Sequence, residues 1–165
     1  SGIILQKRNR YPYMRKIYTL IVALFAITGA FAQFENNPVK WTYQAKKIGP
    51  KLYEIHLKAT IDQPWHLYAQ DAGNGPEPTS IVFDKNPLVQ LSGKTKEVGK
   101  LEKQYDPNFK SELRFYAGTV DFVQTVKMRS TAQTVVKGNI TFMVCNDKRC
   151  LPPKEIPFSV NIDGK

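Results

Sequence analysis

The sequence predicts an all-β fold of two packed antiparallel sheets. Three observations point there: apolar and polar residues alternate with period two in run after run, turn-forming clusters separate the runs, and no long stretch has helical spacing with caps. Successive strand side chains point to opposite faces, so each alternating run is a strand with one buried side.

The first run places Val39, Trp41, Tyr43 and Ala45 against Lys40, Thr42 and Gln44, and ends at the turn-former Lys47-Ile48-Gly49-Pro50. In the second, Tyr53, Ile55, Leu57, Ala59 and Ile61 alternate with Glu54, His56, Lys58 and Thr60. Two glycines and two prolines between Asp71 and Pro78 predict a loop, and Ile81-Val82-Phe83 a short strand after it. Asp84 to Lys110 is the least regular region and is expected to be a long loop. Leu113 to Tyr116 reads as a short strand. Val120, Phe122, Val126 and Met128 then share one face, with Asp121, Thr125 and Lys127 on the other. Lys137-Gly138-Asn139 predicts a turn, before Ile140, Phe142 and Val144 alternate and Ile156, Phe158, Val160 and Ile162 do so again. Seven or eight strands in a chain of this size fit a sandwich whose core the abundant aromatics can fill.

The start of the chain reads differently. Met14-Arg15-Lys16 leads into the apolar run Ile17 to Ile27, and Ala30-Phe31-Ala32 has the small-x-small form of a cleavage site. A basic head, an apolar stretch and such a site make a secretory signal peptide. The apolar run is shorter than the ~20 residues that span a bilayer comfortably. Residues 1–32 are therefore read as an upstream extension and signal peptide cleaved near Ala32, and residues 33–165 as a single exported β-sandwich domain. Five of the 24 basic residues lie in the leader with none of the 14 acidic ones, leaving 19 against 14. The remaining lysines are scattered, which excludes a nucleic-acid surface.

Chemistry concentrates in Val144-Cys145-Asn146-Asp147-Lys148-Arg149-Cys150-Leu151-Pro152-Pro153, which holds both cysteines of the chain. Cys145 ends an alternating strand, and Pro152-Pro153 blocks extended pairing until Ile156, so both cysteines fall at the tip of a hairpin. Export allows the pair to oxidise. Three readings stay open: redox exchange, a structural staple, and a metal site. Closing so short a loop removes only about 2 kcal/mol of unfolded-state entropy, against nearly ~5 kcal/mol for a ~100-residue loop, which weighs against a staple. Two cysteines without a nearby histidine are too few for a closed zinc centre. Lys148 and Arg149 adjoin Cys150 and favour its thiolate, while Asp147 opposes ionisation of Cys145, so Cys150 is the expected site of mixed-disulfide formation.

Cys-Asn-Asp-Lys-Arg-Cys-Leu-Pro-Pro after an alternating strand resembles the active-site hairpin of the N-terminal periplasmic domain of DsbD, the disulfide-bond corrector family. The resemblance extends from about Trp41 to Ile162. It implies an immunoglobulin-like antiparallel β-sandwich, a thiol–disulfide oxidoreductase without a cofactor or metal, with Cys145 and Cys150 as the catalytic pair and Cys150 forming the mixed disulfide. The implied partners are a thioredoxin-like electron donor, a membrane electron-transfer protein of the DsbD type, and oxidised periplasmic thiol proteins as acceptors, among them cytochrome-maturation thiols. Phe109 in Asp106-Pro107-Asn108-Phe109 is similar to the family's cap phenylalanine, with Asp106 beside it. Trp65-His66-Leu67-Tyr68 resembles the aromatic strand lining the site, with Tyr68 as the match and His66 as a packed neighbour.

The spacer between the cysteines is one residue shorter than in the best-known members, and only Asp106 represents the acidic residues that flank the cap. The sequence ends at Lys165 without the membrane and thioredoxin domains, so a free-standing module or separately encoded partners are expected. The competing function is a secreted binding or adaptor sandwich with a purely structural hairpin disulfide. His56, on a polar strand face, is given no role, and Met128 and Met143 are read as core.

Overall fold

Alternation in the sequence becomes pleat in the structure, a computed structural model that describes residues 37–107 and 109–164. The leader and its cleavage site lie outside the described residues. Among the described residues nine strands follow in order: β1 (Val39–Gly49), β2 (Leu52–Ile61), β3 (His66–Tyr68), β4 (Ser80–Phe83), β5 (Val89–Asp106), β6 (Ser111–Met128), β7 (Thr134–Phe142), β8 (Val144–Cys145) and β9 (Lys154–Ile162). Every pairing is antiparallel. One sheet has the order β1-β2-β6-β3-β8 with β5 also on β6, and the other the order β4-β7-β9. The all-β antiparallel sandwich expected from the sequence is the fold.

The inward residues of both sheets form one core: Ile55 and Leu57 from β2, Val120 and Phe122 from β6, Ile140 and Phe142 from β7, Phe158 and Ile162 from β9. Burying each such side chain contributes on the order of 1.5–3 kcal/mol. Trp41 joins the layers, its ring centroid 5.9 Å from Phe122 of one sheet and 5.4 Å from Phe142 of the other.

Three expectations are corrected. Asp84 to Lys110 is mostly strand and not a long loop: β5 pairs with β6 along nearly its whole length, forming a hairpin of two 18-residue strands. Its register shifts between Ser92 and Lys96 and between Gly99 and Leu101, which breaks the period-two signal. The buried Gln124 holds the first irregularity, donating from Nε2 to the Ser92 and Gly93 carbonyls at 3.2 Å each and accepting from Thr95 Oγ1 at 2.8 Å.

Lys137-Gly138-Asn139 lies inside β7, and its glycine answers to packing: a Cβ at Gly138 would sit 2.7 Å from the Phe158 ring and against the Val82 carbonyl. Finally, Cys145 does not end the strand begun at Ile140. The chain leaves β7 after Phe142 and β8 joins the opposite sheet beside β3. The cysteine hairpin thereby crosses from one layer to the other.

Candidate functional site

The site is built at that crossing. His66 and Leu67 of β3 stand opposite Cys145 and Val144 of β8, while Leu67 and Tyr68 face Tyr116 and Phe115 of β6. Beyond Cys145 the chain turns back so that Cys145 and Cys150 form a bridge pair, joined by a disulfide with Cα atoms 4.0 Å apart. Asn146 shapes the turn. Its backbone N–H donates to the Arg149 carbonyl at 2.9 Å, and its side-chain oxygen accepts from the backbone N–H groups of Lys148 and Arg149, each at 2.9 Å. Leu151 N–H closes the hairpin on the Val144 carbonyl at 2.9 Å.

The two sulfurs sit in unlike places. Cys145 is 2% exposed and packs in a small apolar cluster with Tyr68, Ala72, Leu113 and Phe115, whereas Cys150 is exposed. A cleft of about 420 Å³ opens over the pair, walled by His66, Tyr68 and Phe115 on one side, by Gln104, Asp106 and Phe109 on another, and by the turn residues 146–149.

Phe109 lies at the tip of the β5–β6 hairpin and is 45% exposed. Its backbone N–H donates to Asp106 Oδ1 at 3.3 Å, and its ring rests on Gly75, where a Cβ would fall within 2.8 Å of the ring edge. Gly75 has φ 135°, open to glycine and strained for other residues. The loop carrying it is braced on the hairpin: Arg114 donates to the Asp71 carbonyl and carboxylate at 2.8 Å each, and Asn74 N–H donates to Ser111 Oγ at 3.1 Å.

Aromatic contacts order the third wall. The His66 ring lies 4.4 Å from Phe115 and meets Tyr68 edge-on at 5.3 Å, with Nε2 and Tyr68 Oη 3.4 Å apart. Burial holds the His66 imidazole below its ordinary range against the upward pull of Asp147 and Glu102. Burial, and then the Asp106 carboxylate, raise the Tyr68 hydroxyl, so it stays protonated. The Arg149 guanidinium lies 5.7 Å from the centre of the Trp65 ring, a cation–π contact that tethers the turn to the residue before β3.

All six residues singled out from the sequence line this one cleft: Cys145, Cys150, Phe109, Asp106, Tyr68 and His66. His56 does not; its Nδ1 lies 2.7 Å from Asp121 Oδ2 on another face. Sequence reasoning missed Leu113, Phe115, Gln104 and Asn146. Asn146, one residue before Asp-Lys, carries a legible turn signal, while Phe115 and Gln104 reach the site only through strand pairing. Among the described residues no cluster of three or more His, Cys, Asp or Glu is placed to hold a metal.

A β-sandwich that presents a short-range disulfide, one sulfur buried and the other open to an aromatic cleft, defines a domain of the thiol–disulfide exchange class. Residues 34–161 match the family model of the N-terminal domain of the thiol:disulfide interchange protein DsbD, and the chain belongs to that family. No curated protein matches the sequence. Among solved structures, the N-terminal periplasmic domain of ScsB from Proteus mirabilis is 17% identical with a TM-score of 0.49, over 79% of this chain and 49% of that one. This chain thus spans about half of that relative's length. The Neisseria meningitidis DsbD N-terminal domain in its reduced form is 14% identical with a TM-score of 0.49, covering 74% of this chain and 86% of that one. The same organism's complex between the DsbD N-terminal and PilB N-terminal domains is 11% identical with a TM-score of 0.49, covering 78% and 87%.

Proposed function

We propose that residues 33–165 form a periplasmic relay for reducing equivalents, released by cleavage near Ala32. A thioredoxin-like protein, itself served by a membrane electron-transfer protein of the DsbD type, reduces the Cys145–Cys150 disulfide. The resulting dithiol reduces oxidised periplasmic thiol proteins. The observation that carries this reading is the asymmetry of the pair: Cys145 is buried and Cys150 exposed at the mouth of the cleft. Thiol–disulfide exchange needs in-line access to one sulfur, and here only Cys150 offers it.

The electrons balance in two displacements. A donor thiolate attacks Cys150 Sγ, the bond to Cys145 breaks, and its electron pair stays on Cys145 Sγ. The donor's second thiolate then attacks the donor sulfur of the mixed disulfide and expels Cys150 as a thiolate. The donor leaves as a disulfide, and this domain gains two electrons. Delivery to an acceptor runs the same steps backward, and no bound cofactor takes part.

Phe109 acts in this reading as a cap. Its ring narrows the cleft beside the exposed Cys150 and slows approach along it, and a docking partner displaces the ring from Gly75. Trapping tests the assignment. With a thioredoxin-like donor lacking its resolving cysteine and activated at its remaining sulfur as the thionitrobenzoate mixed disulfide, Cys145→Ala should displace thionitrobenzoate and accumulate the protein–protein mixed disulfide, and Cys150→Ala should not. Equal trapping by both variants would contradict the assignment, and trapping by neither would leave the disulfide a staple.

A further inference from the structure

Within the proposed exchange one step has no evident proton acceptor. Cys150 opens to solvent, which can take its proton, but Cys145 is 2% exposed and packed among Tyr68, Leu113 and Phe115. When the reduced domain delivers electrons, Cys145 must lose a proton before it can attack, and at 2% exposure in the oxidised structure it has little solvent to take it. A thiol buried in apolar surroundings resists ionisation.

The residue opposite Cys145 in the β3–β8 ladder is His66. Directly opposed residues on antiparallel strands have Cβ atoms about 4.5–5.5 Å apart and point to the same face. Both also line the cleft, so the two side chains leave neighbouring positions on one face of the sheet and enter the same space. We infer that His66 is the general base of the exchange, taking the proton of Cys145 as that sulfur closes on Cys150. The inference rests on the redox reading of the pair and adds a catalytic residue to it.

In atoms, Cys150 is bonded to an acceptor sulfur and Cys145 is a thiol. The Cys145 S–H proton passes to the imidazole, and the S–H electron pair remains on sulfur. That thiolate attacks Cys150 Sγ, the Cys145–Cys150 bond forms, and the acceptor sulfur leaves with the electrons of the broken bond. Imidazolium then releases its proton to the departing thiolate or to water. Run in reverse, imidazolium protonates Cys145 as it is expelled.

The surroundings suit both forms of the ring. Burial against Phe115 keeps it neutral and ready to accept. Once protonated, Nε2–H can donate to Tyr68 Oη, 3.4 Å away. The charged groups around it are Asp147, Lys148 and Arg149 on the turn and Glu102 and Asp106 on β5; of these, Asp147 and Glu102 favour the imidazolium.

Stopped-flow reaction of the reduced protein with dithiodipyridine separates the steps: attack by Cys150 gives one phase, and closure by Cys145 gives a second. Replacing the ring by Phe keeps the stacking on Phe115, and replacing it by Gln keeps a hydrogen-bonding group; neither can carry a proton. His66→Phe and His66→Gln should both leave the first phase within about twofold and slow the second at least roughly tenfold, toward the ~10²–10⁴-fold that a positioned general base typically supplies. Both should also lose the pH inflection of the second phase below about 6.5. A second phase of unchanged rate and pH profile in both variants would overturn the inference. Wild type showing neither phase would overturn the exchange reading itself. Independently, proton NMR titration of the wild type should find the His66 imidazole pKa altered on reduction; an identical His66 titration in both redox states would also overturn the assignment.

Discussion

Phe109 presents an exposed ring in the cleft over a disulfide whose accessible half is Cys150, and that ring rests on Gly75. Removing it should leave the fold intact and the sulfur open. Phe109→Ala is expected to be reduced faster by dithiothreitol with an unchanged melting temperature, and an equal rate would remove the cap role. His66 yields a second residue-scale prediction. Its imidazole is held below its unfolded value by burial, so as pH falls from about 6.5 the unfolded chain takes up a proton that the folded one resists. The oxidised protein should therefore lose stability as pH falls through that window, and His66→Phe should lose less. Urea midpoints at pH 7.5 and pH 5 for both proteins would decide it, and parallel losses would contradict it.

At the scale of elements, the cap depends on the β5–β6 hairpin and on the loop beneath its tip. Gly75→Ala puts a methyl group into the Phe109 ring at a backbone angle that strains any side chain, costing on the order of 1 kcal/mol. It should mimic Phe109→Ala in dithiothreitol reduction while also lowering stability. A reduction rate like wild type would show that the ring does not need this seat. The same hairpin marks the boundary of what the sequence reveals. β2 is plain to read because its residues alternate between a core face, with Ile55 and Leu57, and a polar face. Among the described residues β5 pairs with β6 alone, is largely exposed, and is broken twice in register, so neither burial nor period writes a pattern into it. Gly138 misleads for the opposite reason: it answers to a Phe158 ring from another strand, which local sequence cannot announce. The cysteine hairpin was legible because its parts are contiguous, whereas the passage of Val144 and Cys145 into the other sheet is a matter of long-range pairing. That passage is what sets His66 beside Cys145, and it explains why His66 reads from sequence as an ordinary packed ring.

For the whole molecule, the question is whether the sandwich needs its disulfide. The loop between Cys145 and Cys150 is short, so the bond adds only about 2 kcal/mol by restricting the unfolded chain. The shared core of both sheets, with Trp41 spanning them, supplies the remainder. The reduced protein should keep its β-sheet circular dichroism and unfold cooperatively, as a carrier that lives in two redox states must. Unfolding on reduction would instead identify the bond as a brace. The most direct measurement is the reduction potential of the Cys145–Cys150 pair, read by equilibration against a thioredoxin-like protein of known potential. An exchange site should lie above about −300 mV and come to equilibrium with that protein, while a bond that stays below about −300 mV and unreduced in its excess would contradict the electron-carrier role.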